Sequence, residues 1–207
     1  MLRVGVLVSG GGTNLQAILD RIADGRLQNC RVVTVVGSRS DIYALERAKK
    51  NSIPASVISR KSFDTLEVYD NALLDHMKTY QVELVVLAGF LSQLGEKFVR
   101  AYKNAIINVH PSLIPAFCGK GFYGLIPHIK ALEYGVKVTG ATVHFVEPEY
   151  DSGPIIFQKA VKVMEGDTPE TLQKRVMEEA EWELLPEAIG LFSEGRLEVS
   201  GRHVKIL

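Results

Sequence analysis

The run Leu84-Val85-Val86-Leu87-Ala88 contains only apolar residues, without the polar alternation of a strand that has one face in water. A strand buried on both faces of a parallel sheet has this composition. Outward from it, apolar runs alternate with segments whose apolar residues recur at helical spacing. Strands are predicted at 4–8, 32–36, 55–58, 84–88 and 106–109, and helices at 15–23, 44–50, 66–80 and 98–102. This order predicts an α/β fold with a doubly wound, mostly parallel sheet flanked by helices.

The second half of the chain has a different pattern. Two long alternating runs, 138–146 and 154–163, can form a hairpin or lie beside the parallel sheet. Residues 197–206 predict a small hairpin that turns at Gly201-Arg202. These runs predict antiparallel strands in the C-terminal part of the sheet.

A long C-terminal helix is predicted between the two pairs of strands. Thr168 suits the N-cap position and Pro169 the first helical position. The helical spacing continues to about Phe192, and Pro186 is expected to kink or divide the helix because it lacks an amide hydrogen.

Length and charge limit the classes of protein to consider. The 207 residues suit a single domain, 1–207, with an internal boundary expected near 110. Lysine plus arginine number 24, as do aspartate plus glutamate, so a nucleic-acid partner is disfavoured. The apolar N-terminal run is interrupted at Gly10, too early for a signal peptide or membrane span, so a cytoplasmic protein without membrane partners is expected. The five histidines and the acids show no metal-ligand spacing, so no metal is expected.

A glycine-rich loop, Ser9-Gly10-Gly11-Gly12-Thr13-Asn14, connects the first predicted strand to a helix. Glycines allow close approach of an anion, and the helix N-terminus offers free N–H groups. The alternative is a tight turn capped by Thr13 or Asn14, but three glycines exceed what a turn needs. A dinucleotide fingerprint would need glycine in place of Leu15, and no Gly-Lys-Ser/Thr follows, so a phosphate monoester fits best.

A second polar group, Asn108-Val109-His110-Pro111-Ser112, ends a predicted strand. Side chains two residues apart lie on one face, where an amide can stabilise an oxyanion and an imidazole can move protons. A buried structural histidine with an asparagine turn cap is an equal alternative on these residues alone. A carboxylate such as Asp151 beside His110 would raise its pKa and favour a catalytic role. The glycine loop, Gly89 and this stretch all follow strands and are expected to converge on one crevice.

Five motifs together resemble the phosphoribosylglycinamide formyltransferase family of purine biosynthesis, over residues 4–191. In chain order they are Ser9-Gly10-Gly11-Gly12-Thr13-Asn14-Leu15-Gln16, Leu87-Ala88-Gly89-Phe90, Asn108-Val109-His110-Pro111-Ser112-Leu113-Ile114-Pro115, Gly140-Ala141-Thr142-Val143-His144-Phe145-Val146 and Asp151-Ser152-Gly153-Pro154-Ile155-Ile156. The resemblance implies a Rossmann-like formyltransferase fold, with residues 1–110 binding the ribonucleotide and 111–207 the folate. It also implies 10-formyltetrahydrofolate as co-substrate.

The resemblance assigns roles to individual residues. Asn108, His110 and Asp151 would be catalytic: Asn108 and protonated His110 would stabilise the oxyanion, and Asp151 would orient and charge His110. The ribonucleotide phosphate would be bound by Gly11, Gly12, Thr13 and Asn14, and its ribose by Glu181. The folate would be bound by Phe90, Leu91, Ser92, Gln93, Leu94, Asn108, His144, Val146 and Asp151.

Three features depart from the family pattern. Leu66 stands where some members have a basic residue that holds the ribonucleotide. Either Arg60 or Lys61 is expected to supply this contact instead, or the glycine loop alone is expected to bind the phosphate. Ser92 stands where many members have arginine beside the pteridine. The segment 117–125 differs from the commoner shorter form, and we hypothesise that it is a mobile, glycine-rich lid over the folate. Cys118 within it is expected to be incidental rather than a nucleophile.

Other formyltetrahydrofolate enzymes share the Asn108 and Asp151 motifs. A formyltetrahydrofolate hydrolase would be expected to carry an additional N-terminal domain, and a methionyl-tRNA formyltransferase a C-terminal nucleic-acid-binding domain. A sugar-nucleotide formyltransferase would lack the phosphate loop. A non-catalytic nucleotide-binding module would not need Asn108, His110 and Asp151 together. The expected partners are therefore small-molecule substrates, with the chain a monomer or homodimer.

Overall fold

The computed structural model describes residues 1–207, and the chain divides into two units, Met1–Ile107 and Asn108–Leu207. In the first unit, four strands lie in the order β3-β2-β1-β4. Strand β1 pairs in parallel with β2 and β4, and β2 pairs in parallel with β3. The strands are β1 (Leu2–Val8), β2 (Cys30–Gly37), β3 (Ala55–Val57) and β4 (Leu84–Leu87). These parallel pairs confirm the predicted sheet.

Three α-helices connect these four strands and a fourth follows β4, as the helical spacing predicted. They are α1 (Thr13–Ala23), α2 (Tyr43–Lys50), α3 (Leu66–Thr79) and α4 (Glu96–Ala101), and a 3-10 turn at Arg60–Ser62 precedes α3. Residues Leu15, Ile18 and Leu19 of α1 are buried on one face, as are Leu73 and Met77 of α3. This apolar face is the part of each helix that packs against the buried strands.

The second unit contains the antiparallel strands. Strand β5 (Ile106–His110) ends in it, and its other strands lie in the order β6-β7-β9-β8. Pairing is antiparallel between β6 and β7 and between β8 and β9, and parallel between β7 and β9. These strands are β6 (Val138–Phe145), β7 (Ile155–Lys162), β8 (Leu197–Ser200) and β9 (His203–Ile206). The hairpin alternative for 138–163 and the predicted C-terminal hairpin are thereby confirmed.

One helix of this unit, α5 (Ile126–Tyr134), has no counterpart in the sequence prediction. It follows the glycine-rich segment 117–125 and contains Pro127 in its first turn. Proline is favoured there because the first amide hydrogens of a helix have no partner within the helix. Gly135 ends the helix in the left-handed conformation.

The long C-terminal helix begins as predicted, with Thr168 as N-cap accepting a hydrogen bond from the Thr171 amide. It consists of α6 (Pro169–Val176), a π-helical turn at Met177–Glu181 and α7 (Trp182–Ser193). Pro186 was expected to kink or divide the helix; it does not divide it, since α7 passes through it, and the kink stays a prediction. The π turn ends directly before Trp182, the residue whose carbonyl the proline ring crowds, so the helix widens next to the place where the ring needs room.

None of these helices combines the length and the apolar character needed to cross a membrane.

Candidate active site

Four polar side chains meet in the second unit: Asn108 and His110 at the end of β5, His144 on β6, and Asp151 in the turn after β6. The Oδ2 atom of Asp151 lies 3.5 Å from Nδ1 of His110, and its Oδ1 atom lies 3.7 Å from Nε2 of His144. The Nδ2 atom of Asn108 lies 3.1 Å from Nε2 of His144. Both histidine side chains are almost fully buried, and Asp151 is 12% exposed. The structure therefore brings the three predicted catalytic residues together around His144.

Hydrogen bonds determine which nitrogen of His144 carries its proton. The Nδ1 atom lies 2.8 Å from the carbonyl oxygen of Phe145, which can only accept, so Nδ1 donates. The Nε2 atom, on the other side of the ring, lies 3.1 Å from the Asn108 amide nitrogen and 3.7 Å from Oδ1 of Asp151. His144 thus orients the side chain of Asn108, in addition to the folate contact predicted for it.

The same reasoning applies to His110. Its Nε2 atom lies 3.0 Å from the carbonyl oxygen of Phe117, so Nε2 carries a proton. Its Nδ1 atom faces the carboxylate of Asp151, to which it can donate only as an imidazolium. The ring therefore has a fixed donor at Nε2 and a position at Nδ1 where an added proton would be stabilised by Asp151.

The Asp151 carboxylate raises the pKa of His110 as expected, but the net shift is downward, so the expected protonated state of His110 is wrong. Burial lowers the pKa of His110, and the Asp151 carboxylate and the Phe117 carbonyl oppose this effect only in part. The free energy needed to take a charged imidazolium out of water is larger than the stabilisation that one carboxylate provides at this distance. Near neutral pH, His110 is accordingly neutral in the unliganded protein rather than protonated.

The turn that carries Asp151 is fixed by its backbone. Asp151 adopts a left-handed conformation, with φ of 51°. A Cβ atom on Gly153 would lie 1.8 Å from the carbonyl oxygen of Phe145, so only glycine fits where the turn returns to the strand. Burial alone would raise the pKa of Asp151, but His144, His110 and the Gly119 amide hold it below its ordinary value. The carboxylate is therefore ionised near neutral pH.

The segment 117–125 contacts two of these side chains through its backbone. The Phe117 carbonyl accepts from His110, and the Gly119 amide donates to Oδ2 of Asp151 at 2.8 Å. Further along, the carbonyl of Gly124 accepts a hydrogen bond from Gln173. In this structure the segment occupies the Nε2 donor of His110 and one carboxylate oxygen of Asp151.

Two nearby nucleophilic side chains take no part in this cluster. The hydroxyl of Ser112 is buried and donates to the carbonyl of Ala116 at 2.6 Å. The thiol of Cys118 lies 3.3 Å from the carbonyl of Pro115, and burial raises its pKa. Because the thiolate is the reactive form, Cys118 is poorly suited to nucleophilic catalysis.

The glycine loop lies in the first unit, between β1 and α1. Gly12 is the N-cap of α1, with φ of 72°. The N-cap position is thus occupied by Gly12 rather than by Thr13 or Asn14. A Cβ atom on Gly10 or Gly11 would meet no atom within 4 Å, so the loop is open on that side. A left-handed glycine at an open helix N-terminus is a backbone arrangement suited to binding an anion.

The predicted folate segment, 90–94, is also anchored within the first unit. The amide of Leu91 donates to Oγ of Ser9 at 2.9 Å, and Ser38 donates to the same oxygen at 2.8 Å. Buried Asp70 accepts hydrogen bonds from the amides of Gly95 and Phe98 at the start of α4. The segment is thus held at both ends, while the side chain of Leu91 remains 56% exposed.

The remaining predicted residues lie on other elements. Glu181, the predicted ribose ligand, is buried in the π-helical turn, a type of turn that is frequent at functional sites. Val146 is half-buried directly after β6. Leu66 is the first residue of α3, and Arg60, one of its possible substitutes, donates to the carbonyl of Phe63.

Comparison with known proteins identifies the family. A profile described as "Formyl transferase" matches residues 2–189. The phosphoribosylglycinamide formyltransferase of Haemophilus influenzae is 38% identical over 95% of this chain and 90% of its own length. The trifunctional purine biosynthetic protein adenosine-3 of Drosophila pseudoobscura pseudoobscura is 43% identical over 94% of this chain, which spans only 14% of that protein.

A solved structure agrees with these sequence matches. Glycinamide ribonucleotide transformylase 1 from Symbiobacterium toebii superposes with a TM-score of 0.93 at 47% identity, covering 100% of this chain and 94% of the other. The predicted fold class is thereby confirmed over the whole chain. The chain belongs to the formyl transferase family and, within it, to the phosphoribosylglycinamide formyltransferases.

Proposed function

We propose that this protein transfers the formyl group of 10-formyltetrahydrofolate to the primary amine of 5'-phosphoribosylglycinamide, a step of purine biosynthesis. The observation that carries this proposal is the buried cluster of Asn108, His110, His144 and Asp151. It combines two hydrogen-bond donors, the Asn108 amide and His110 Nε2–H, with one carboxylate. Acyl transfer to an amine needs both, because an oxyanion forms while a proton leaves the nitrogen.

The reaction forms one C–N bond and breaks another. The amine nitrogen attacks the formyl carbon, and the C=O electron pair moves to the oxygen, where Asn108 and His110 donate hydrogen bonds. Collapse of this intermediate breaks the bond to N10 of the folate. The amine loses one proton and N10 gains one, so the protein needs to hold this proton only between the two steps.

The pKa directions of Asp151 and His110 favour His110 as the residue that holds that proton. Asp151 is a weak base because its pKa is low, but it stabilises positive charge nearby. Neutral His110 can receive the proton at Nδ1, the atom that faces Asp151. The resulting imidazolium is a stronger donor to the oxyanion at Nε2. His110 would therefore become charged during the reaction rather than before it.

The substrate ends would be bound by the predicted residues. We assign the phosphate to Gly11, Gly12, Thr13 and Asn14, whose backbone amides and side chains can donate. We assign the ribose to Glu181, and the folate to residues 90–94, Asn108, His144, Val146 and Asp151. These substrates are small molecules, and we expect the protein to act in the cytoplasm. We also expect a monomer or homodimer, and size-exclusion chromatography with light scattering can check this oligomeric state.

The proposal is tested by incubating the purified protein with 10-formyltetrahydrofolate and 5'-phosphoribosylglycinamide and measuring the formylated product. Asn108→Ala and Asp151→Asn are expected to lose transfer by a far larger factor than they weaken folate binding, because the other assigned folate contacts, residues 90–94, His144 and Val146, remain. Release of formate at the same rate without the amine would identify a hydrolase instead. Ligand binding by the wild type without transfer or formate release would identify a non-catalytic binding module.

A further inference from the structure

Helix α2 packs directly against the glycine loop. A Cβ atom on Gly12 would lie 2.7 Å from Cβ of Ala44 and 3.4 Å from Cδ of Arg47. The amide of Ala44 donates to the carbonyl of Gly10 at 3.3 Å, and Nε of Arg47 donates to the carbonyl of Gly11 at 2.8 Å. Two successive carbonyl groups of the loop are therefore turned towards α2.

Peptide geometry converts these contacts into an orientation of the loop amides. In a trans peptide the C=O and N–H bonds point in opposite directions. When the carbonyls of Gly10 and Gly11 point towards α2, the amides of Gly11 and Gly12 point away from it. Gly10 and Gly11 have open space where a side chain would stand. The two amides consequently point away from the face of the loop that α2 covers.

The guanidinium group of Arg47 is suited to hold this arrangement. Its Nε atom binds the Gly11 carbonyl, and its Nη1 atom binds Oε1 of Gln16 on α1 at 2.8 Å. The planar group thus connects the loop to the helix that follows it, which a lysine ammonium at the end of a flexible stem cannot do in the same way. It also places a positive charge beside the loop while it neutralises a carbonyl that would repel an anion.

We propose that Arg47 is a positioning residue for the ribonucleotide phosphate, acting through the Gly11 carbonyl to orient the loop amides. This role rests on the proposed function of the loop. It also accounts for phosphate binding without a basic residue at Leu66. Arg47 acts on the phosphate end of one substrate and is expected to leave the folate and the chemical step unaffected.

The test compares Arg47→Met and Arg47→Lys with Lys50→Met, which removes a cation from the same helix. Lys50 donates a hydrogen bond to the hydroxyl of Tyr43, which lies outside the loop. Steady-state kinetics would give KM for each substrate and kcat, and calorimetry would give the affinity for ribose 5-phosphate. Arg47→Met is expected to raise the ribonucleotide KM about tenfold or more, the loss of one charge-assisted interaction. Its kcat and folate KM should stay within about twofold.

Arg47→Lys separates the effect of the two hydrogen bonds made by the guanidinium group from the effect of its positive charge. It keeps the charge but cannot bind Gly11 and Gln16 together, so its ribonucleotide KM should also rise, by a smaller factor, while the protein remains folded. An unchanged ribonucleotide KM in Arg47→Met would overturn the proposal. The proposal would also be overturned if Arg47→Met raised KM for both substrates and lowered kcat by similar factors, because such a result indicates a general structural role. If the wild type transfers no formyl group, the proposed function fails, but ribose 5-phosphate affinity still tests Arg47.

Discussion

Oδ2 of Asp151 lies 3.5 Å from Nδ1 of His110, so a carboxylate of low pKa faces an imidazole that burial keeps neutral. This pair can share one proton, with the positive charge on His110 stabilised by Asp151. Asp151→Asn keeps the shape of the side chain but removes the charge. We expect kcat to fall by about 100- to 10,000-fold, the range for loss of proton-transfer assistance. Folate affinity should stay within a few-fold of the wild type, as titration with a folate analogue would show.

Glu149→Gln is the matched control for this variant, since it makes the same chemical change at an exposed position of the same turn. Its kcat should be that of the wild type. Equal losses in the two variants would show that the charge of the turn, rather than the contact between Asp151 and His110, affects the rate.

The protonation of His110 gives a second prediction. Because burial lowers its pKa, His110 should titrate below 6.5, and kcat/KM should fall over the same acid range as the imidazolium forms before substrate binds. Asp151 raises the pKa of His110, so in Asp151→Asn the ring should titrate at still lower pH. NMR titration of the ring nitrogens measures both values. A His110 pKa above 6.5 in the wild type, or an upward shift in the variant, contradicts this assignment.

The success of sequence prediction differed between side chains and backbone. The buried strand 84–88 and the stretch Asn108 to His110 could be predicted because apolar runs and alternating polar side chains have direct signatures in the sequence. The contacts of His110 and Asp151 with Phe117 and Gly119 could not, since they are made by main-chain groups that every residue has. The effect of Asp151 on the pKa of His110 was predicted in the right direction, but the larger opposing effect of burial could not be, because burial depends on tertiary packing.

The same distinction applies to Arg47. Its helix was predicted, but nothing in the spacing of α2 indicates that its side chain reaches the carbonyl of Gly11. Pro186 shows the converse, because a strong local signal for a break was overridden by the π-helical turn before it. Tertiary packing can override a local preference of a few kcal/mol, on the order of 3 for proline in a helix.

The contact between Gly119 and Asp151 predicts how the hypothesised lid responds to ligand. In the free protein the Gly119 amide is bound to the carboxylate at 2.8 Å, so its hydrogen should exchange slowly. A folate analogue that takes this position on Asp151 should release the amide, and its exchange should accelerate. Amide hydrogen exchange with and without the analogue measures the change, with β6 amides as an internal reference. Slow exchange that the analogue leaves unchanged would contradict a mobile lid.

His128 on α5 predicts an acid-dependent loss of stability. Its side chain is fully buried, and neither ring nitrogen has a hydrogen-bond partner in the protein. Burial, with a smaller contribution from His110, lowers the pKa of His128 to about 4. Since the folded pKa lies below the unfolded one, stability is fully present above pH 6.5 and is lost as the pH falls towards 4. A shift of this size corresponds to about 3 kcal/mol of unfolding free energy.

His128→Leu removes the titrating group and, because the ring forms no hydrogen bonds, leaves no partner unsatisfied. Its unfolding free energy, measured by urea denaturation from pH 7 to pH 4, should fall by about 3 kcal/mol less than that of the wild type. His128→Gln separates the effect of titration from that of packing. It should show the same flattened pH dependence as His128→Leu, but a lower unfolding free energy than His128→Leu at every pH, because its buried amide has no partner. If wild type and both variants lose the same free energy over this range, His128 is not the group that takes up the proton.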